Sequence, residues 1–182
     1  MALQGRKSSA RNAAQRRTPT AMTTSDREAL DKLDLKILDR FQRNARTPAE
    51  LIAAEVGLSA AAVQRRLKRL RECGVIAAEV GQIDPAAVGL AVTCLVAVEL
   101  DRESGSGIDR FRKRICLYPQ VQQCYYVTGQ ADFMLVVVCK DMAFYEAFTR
   151  EALLADGNVR SFKTSVVLDR VKVGLQLPIQ SG

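Results

Sequence analysis

The feature that most constrains the fold is a change in hydrophobic period near residue 85. From Leu30 onward, apolar residues recur every three or four positions, which is the spacing of amphipathic helices. After Gly89 they come in continuous runs with the length of buried strands, notably residues 91–98 and 133–139. Asp84-Pro85 is typical of a linker. The 182 residues are therefore predicted to form two small domains of different secondary structure.

Three helices are predicted before the linker. The apolar face of the first comprises Leu30, Leu33, Ile37, Leu38 and Phe41. For the second, Thr47-Pro48-Ala49-Glu50 predicts a capping box with Thr47 as the cap, and Gly57 ends the helix. Ser59 is expected to cap the third, which runs to about Cys73. This arrangement is a helix-turn-helix, and residues 75–76 and 80–83 are expected to add a short β-pair as a minimal wing.

The third helix carries the features of a DNA-reading element. Val63, Leu67 and Leu70 form its core face, and five basic residues lie between positions 65 and 71. The residues expected nearest the base edges are Ser59, Ala60, Ala61, Gln64 and Arg65. The residues expected to contact phosphates are Arg66, Lys68, Arg69 and Arg71. The alternative is a merely solvated charged face, and the net charge of +7 agrees with either reading.

The second domain is predicted to be a ferredoxin-like α+β sandwich. Strands are expected at residues 91–100, 120–128, 133–140 and 159–171, with helices at 106–117, capped by Ser106, and at 141–155. The resulting βαββαβ order is that of the ferredoxin-like sandwich. Helices on one side leave the other face of the sheet uncovered, and a domain this small is expected to bury it against a second copy. The sequence thus predicts a homodimer.

Composition argues against an enzyme or a membrane protein. The chain has no histidine, which removes the usual general base and most catalytic zinc sites. Its five cysteines are scattered and include no C-x-x-C, so we expect reduced thiols in a cytoplasmic protein, with a redox-sensing thiol as the lesser possibility. No apolar run approaches the roughly 18 residues that span a bilayer. We therefore predict no catalytic residues, no metal, no cofactor and no membrane association.

Residues 1–28 are predicted to be a disordered basic arm. They contain six basic and two acidic side chains and have no apolar period. Met22 leaves open whether translation starts there or at Met1.

Each predicted domain carries a set of motifs. The first set is Leu30-Asp31-x-x-Asp34-x-x-Ile37-Leu38, Gly57-Leu58-Ser59-x-x-x-Val63-x-x-Arg66-x-x-x-Leu70 and Gly74-Val75-Ile76. The second is Val127-Thr128-Gly129-x-x-Asp132-Phe133 with Asp141-x-x-x-Tyr145. Together they resemble the Lrp/AsnC ("feast/famine") family of bacterial transcription regulators. The resemblance implies a DNA-binding domain at residues 29–84, a linker at 85–90 and an effector-sensing, oligomerising (RAM-type) domain at 91–178.

The same resemblance implies that an amino acid or related metabolite binds at the contact between dimers. The implied effector residues are Gly129, Gln130, Ala131, Asp132, Met142, Ser165, Val166 and Val167. The turn could offer backbone N–H groups to a carboxylate, and Asp132 could accept an ammonium group. The alternative is that Gly129 and Asp132 only make the turn. Ala131 stands where the family usually has a larger residue, which could enlarge the pocket.

Three functions follow from these features. The first is a sequence-specific regulator that binds double-stranded DNA as a homodimer, tetramer or octamer and responds to an amino acid. The second is a nucleoid-associated architectural protein without an effector, which Ala60 and Ala61 favour because they lack polar groups for base reading. The third, an enzyme or its regulatory subunit, is disfavoured because the chain has no motif for catalysis.

Overall fold

The computed structural model describes residues 30–101 and 105–180. The basic arm predicted at residues 1–28 lies outside the described residues. The chain divides into two compact units, of which the first runs to Glu79 and also includes the segment from Leu175. The second unit is Val80–Gly174. Within the described residues, no helix is both long and apolar enough to cross a membrane.

The first unit is the predicted helix-turn-helix, formed by α1 (Lys32–Arg43), α2 (Ala49–Val56) and α3 (Ala60–Glu72). Ile37 and Phe41 of α1, Ile52 of α2, and Val63 and Leu67 of α3 form one buried cluster. α1 begins two residues later than the hydrophobic pattern predicts. The delay arises because Asp31 and Asp34 cap it reciprocally, each carboxylate accepting a hydrogen bond from the other's backbone N–H.

The predicted cap of α2 is wrong. Pro48, not Thr47, occupies the N-cap position, and no side chain caps this helix. The Thr47 hydroxyl instead donates to the carbonyl of Asn44 at 2.8 Å and so stabilises the preceding turn. The predicted end is confirmed, because Gly57 lies in the left-handed region with φ of 71°.

The predicted limits of α3 are confirmed. The Ser59 hydroxyl accepts a hydrogen bond from the Ala62 N–H at 3.2 Å, and Gly74 follows the helix with φ of 73°. Val63, Leu67 and Leu70 are buried as predicted.

The predicted wing is wrong. Within the described part of the chain, residues 75–84 contain no strand, and Val80 and Ile83 are more than 60% exposed. The Ile76 N–H bonds to the carbonyl of Leu70 at 2.9 Å, closing the end of α3, and Ile76 packs against the helical cluster. Because the Ile76 N–H bonds within the end of α3, it is not available to pair with a second strand. An isolated two-stranded ribbon also has little stability of its own.

The second unit confirms the ferredoxin-like sandwich. Its elements are β1 (Val92–Leu100), α4 (Gly105–Ile115), β2 (Val121–Tyr126), β3 (Phe133–Cys139), α5 (Met142–Thr149) and β4 (Val159–Val166). The four strands form one antiparallel sheet in the order β2-β3-β1-β4. The predicted linker contains a short 3-10 turn, Ala86–Val88.

Several ends differ from the predicted ones because local capping decides them. Asp141 caps α5 from outside the helix, its carboxylate accepting from the Phe144 N–H at 2.7 Å, and α5 continues as a π-helical turn, Arg150–Leu154. Ser106, predicted as a cap, lies within the first turn of α4. β4 is five residues shorter than predicted, because its pairing with β1 ends at Val166 opposite Cys94.

One face of the sheet is covered and the other is open. Along β1, Cys94, Val96 and Val98 are buried with residues of both helices, including Phe111 and Phe148. The alternate positions face the other way, and Leu95 between them is 40% exposed. The central residues of this open face are Leu95, Ala97, Met134 and Val136.

Candidate functional site

A polar face of α3 lies opposite its core face. Ala61, Gln64, Arg65 and Lys68 are exposed and follow the i, i+3, i+4, i+7 spacing that places side chains on one side of a helix. We call these four residues the reading face. Among the described residues, no carboxylate pairs with Arg65, and the only one near the Lys68 Nζ is Glu72, at 3.9 Å. Ser59, which caps α3, is exposed at its N-terminus, and Ala60 is half-buried.

Two of the predicted phosphate contacts serve a different purpose in this structure. Arg66 reaches Asp34 of α1 at 2.8 Å and Asp31 at 2.7 Å, and Arg69 reaches the other oxygen of Asp34 at 2.5 Å. The Asp34 carboxylate is only 1% exposed. Both arginines therefore fix α3 against α1, and phosphate contact remains only a prediction for them.

The same ion pairs affect the charged groups around them. Hydrogen bonds to Asp34 and then Asp31 raise the pKa of Arg66. The pKa of Asp31 is lowered, first by the hydrogen bond from the Asp34 backbone N–H and then by Arg66. Sequence reasoning did not identify Asp34 as the centre of this cluster. The available signal was the position of Asp34, three residues before Ile37 on the apolar face of α1, where only a paired carboxylate is tolerated.

Arg71 is committed within the unit as well. Its guanidinium pairs with Glu79 at 2.5 Å and lies over the ring of Phe41, 5.3 Å from the centroid. It remains exposed, however, so phosphate contact is sterically open to it.

The predicted effector turn is held by backbone hydrogen bonds and by Asp132. Gly129 adopts φ of 118°, which favours glycine. The Asp132 backbone bonds to Val98 and Val127, each at 2.9 Å, and one oxygen of its carboxylate accepts from the Leu100 N–H at 2.8 Å. Asp132 therefore ties the turn to the end of β1. Its second carboxylate oxygen has no hydrogen-bond donor among the described residues.

The remaining predicted effector residues lie at the other end of the sheet. Val166 is opposite Cys94, and the Val167 N–H bonds to the carbonyl of Thr93 at 2.9 Å. The stretch of β1 from Cys94 to the turn at Val98 measures about 13 Å at roughly 3.3 Å per residue. One copy of the chain therefore does not bring the two groups together. Gly129, Gln130, Ala131 and Asp132 are at one end, and Met142, Ser165, Val166 and Val167 are at the other.

A groove of about 410 Å³ lies along α5, and none of the predicted effector residues lines it. It is lined by Ala143, Glu146, Ala147, Arg150 and Glu151. Glu146 and Arg150 already pair with each other at 2.7 Å across one helical turn. The charges of Glu146 and Arg150 are thus paired within the groove, and its lining gives no indication of a ligand.

Comparison with known proteins assigns both units. Residues 30–71 match the model of the AsnC-type helix-turn-helix domain, and residues 93–177 match that of the Lrp/AsnC ligand-binding domain. An HTH-type transcriptional regulator of Sinorhizobium fredii is 48% identical over 151 residues, covering 83% of this chain and 89% of the relative. The chain belongs to the Lrp/AsnC family.

Solved structures of Lrp/AsnC-type regulators have the same fold. An AsnC family transcriptional regulator from Agrobacterium tumefaciens superposes with a TM-score of 0.76 at 31% identity, over 82% of this chain and 97% of its own. A transcriptional regulator from Neisseria meningitidis in complex with L-methionine gives 0.77 at 29% identity, with the same coverages. The family predicted from the motifs is confirmed. The chain is a transcription regulator with a DNA-binding helix-turn-helix and a ligand-binding domain.

Proposed function

We propose that this Lrp/AsnC regulator reads DNA through the reading face of α3 and that an amino acid controls its binding. The proposed DNA reading is supported by the different contacts that the polar residues of α3 make. Arg66 and Arg69 are tied to Asp34, while Gln64, Arg65 and Lys68 point outward with no strong intramolecular partner among the described residues. A helix held rigidly from behind, with free donors in front, is suited to the major groove.

Within this face, chemistry assigns the roles. Gln64 is suited to pair with adenine, Arg65 with guanine, and Lys68 with a phosphate. Arg65→Ala is expected to cost about 1–3 kcal/mol at one base position and to relax preference there. Lys68→Ala is expected to weaken binding to all sequences alike and to reduce the salt slope by about one.

The measurement is titration of each variant against operator DNA and single-base variants of it at two salt concentrations. Lys113→Ala, an exposed lysine of α4 in the other unit, is the matched control. Equal losses for Arg65→Ala and Lys68→Ala on every sequence would refute the assignment.

The effector site is proposed to be shared between copies of the chain. Its support is that the eight predicted effector residues form two groups at opposite ends of the sheet, so a second copy would complete the site. The amino acid's ammonium group would bind the open oxygen of Asp132, and its carboxylate the backbone N–H groups near Gly129. L-methionine, bound by the Neisseria relative, is the first compound to test.

The open face of the sheet is proposed to form the dimer. Leu95, Met134 and Val136 are apolar and adjacent in the strand register. Leu95→Asp would place a charge in the centre of this surface and is expected to shift the protein toward monomer in sedimentation analysis. Leu117→Asp, at a 75% exposed position after α4, is the control. An unchanged oligomer in Leu95→Asp would rule out this face.

The second candidate is an architectural DNA-binding protein acting on the chromosome in the cytoplasm. Ala61 favours it, because an exposed methyl group in the reading face offers no hydrogen bond to a base. Binding should be compared between the region upstream of the protein's own gene and random DNA, with and without each amino acid. Preference altered by an amino acid supports the regulator, whereas equal binding without any response supports the architectural protein.

A further inference from the structure

Two cysteines of the sheet domain lie side by side although they belong to different elements. Cys116 directly follows α4, and Cys124 lies within β2. The Cys124 thiol donates a hydrogen bond to the sulfur of Cys116. Neither thiol belongs to the reading face or to the predicted effector residues, so the proposed function leaves this pair unused.

The packing of α4 against β2 accounts for the contact. The Cys116 N–H bonds to the Arg112 carbonyl at 3.4 Å, so both side chains leave α4 on the same side, one turn apart. On β2, Tyr126 is two positions after Cys124 and shares its side of the strand. The Arg112 guanidinium lies 5.5 Å from the ring centroid of Tyr126. One turn of α4 advances about 6 Å and two residues of β2 span about 7 Å in the opposite direction, which brings Cys116 to Cys124.

The two thiols differ in their access to solvent and in their tendency to lose a proton. Cys116 is exposed, whereas Cys124 is half-buried against the core of the sheet domain. Burial first, and then the neighbouring Cys116, raise the pKa of Cys124 to about 11, while Arg112 acts in the opposite direction. A dissolved reagent therefore meets Cys116 first, with a protonated Cys124 behind it. Modification of Cys116 removes its share of the raised pKa and makes Cys124 more reactive.

We propose that Cys116 and Cys124 form a site of reversible oxidation, which a small-molecule disulfide converts to a disulfide bond between α4 and β2. The Cys116 thiolate attacks one sulfur of the reagent, a mixed disulfide forms, and one small thiol leaves. The Cys124 thiolate then attacks the Cys116 Sγ, which forms the protein disulfide and releases the second small thiol. Two cysteine thiols are thus oxidised and one reagent disulfide is reduced, and the two protons end on the released thiols. Neither step involves DNA or an effector.

A second pair of thiols offers an internal comparison. Cys94 of β1 and Cys139 of β3 lie on neighbouring strands, and burial, followed by the nearby Cys139, raises the pKa of Cys94. Both side chains are 0% exposed. If proximity alone decided oxidation, this pair would react as well. Because the proposed first step needs a thiol that the reagent can reach, Cys94 and Cys139 are expected to stay reduced in the folded protein.

The test treats the reduced full-length protein with glutathione disulfide and then blocks the remaining thiols with iodoacetamide under denaturing conditions. Mass spectrometry counts the blocked thiols. Chymotrypsin, which cleaves after Leu117, separates the Cys116 fragment from the Cys124 fragment unless a disulfide joins them. Wild type is compared with Cys116→Ser and Cys124→Ser, and Cys124→Ala repeats the second without a buried hydroxyl. The matched control is Cys73→Ser, which removes a half-buried thiol of the helix-turn-helix unit.

In wild type and in Cys73→Ser, the Cys116 and Cys124 fragments are expected to be joined, to separate with dithiothreitol, and to retain little glutathione. Both Cys124 variants lose the second step, so glutathione stays on Cys116 at about tenfold the wild-type amount or more, because an adjacent thiol reacts far faster than a dissolved one. Cys116→Ser should leave Cys124 reduced. Equal retention of glutathione by wild type and the Cys124 variants, or preferential oxidation of Cys94 and Cys139, would overturn the proposal. So would a bond between Cys116 of two copies in place of the internal one.

Discussion

Replacing Asp34 with asparagine is the most direct test of how the reading helix is held. The substitution keeps the size of the side chain and removes the charge that Arg66 and Arg69 share. The Asp34 side chain is 1% exposed, so in the folded variant water does not take the place of the lost carboxylate beside the guanidinium groups. Arg66 would keep its pair with Asp31, whereas Arg69 would face a neutral amide in place of the Asp34 carboxylate.

The expected cost follows from the burial of each group. Removing one partner of a buried ion pair costs about 3–5 kcal/mol when the remaining charge stays buried. Here the side chains of Arg66 and Arg69 are 25% and 36% exposed, so both can be partly rehydrated. We therefore expect a loss of about 2–3 kcal/mol of unfolding free energy for this unit. In a domain of this size that lowers Tm by about 10 °C or more.

The assay is thermal and urea denaturation followed by circular dichroism, with DNA binding measured below the transition. Glu55→Gln is the control, because the Arg40–Glu55 pair is 38% and 45% exposed and should contribute at most about 1 kcal/mol. A loss for Asp34→Asn no larger than that of the control would show that Asp34 does not hold α3.

Three smaller predictions concern caps, thiols and turns. Asp31→Asn keeps the cap but loses the charge beside Arg66. Because the folded pKa of Asp31 lies below its ordinary 3.8, the stability difference from wild type should be full well above pH 3.8 and should be lost as the pH falls through the lower, folded pKa. Burial raises the pKa of Cys124 from 9.0 to about 11, which lowers its thiolate fraction at pH 8 roughly hundredfold. Iodoacetamide should therefore label the exposed Cys116 before Cys124, and equal labelling rates by mass spectrometry would contradict this. Gly57→Ala has open space for its methyl group but forces alanine to adopt φ near 71°. Denaturation should therefore show a loss of about 1 kcal/mol of unfolding free energy, and an unchanged value would contradict this strain.

Local signals made the helices predictable from sequence. Ser59 and Gly57 act on their own neighbours, and Val63, Leu67 and Leu70 repeat at the helical period, so pattern alone located α3. The predicted cap at Thr47 was wrong because its hydroxyl can make either of two local hydrogen bonds, and in the structure it donates to the Asn44 carbonyl.

Contacts between distant residues could not be read in the same way. Nothing near Arg66 or Arg69 in sequence indicates that both meet Asp34, more than 30 positions earlier. The position of the effector residues is a similar case. Their role was inferred by resemblance, but only the register of β1 with β4 shows that Ser165 and Gly129 lie at opposite ends of the sheet.

The two outer strands of the sheet determine how copies can meet. An unprotected edge invites further strands to add, and repeated addition gives open-ended fibres. Here β4 carries exposed Arg160 and Lys163, and β2 is kinked by a bulge between Val121 and Gln123. Strand-by-strand growth is thus opposed on both sides, while the apolar open face of the sheet is left available. Association through such a surface would be satisfied by a single partner, so an assembly formed in this way would close at a finite number of copies.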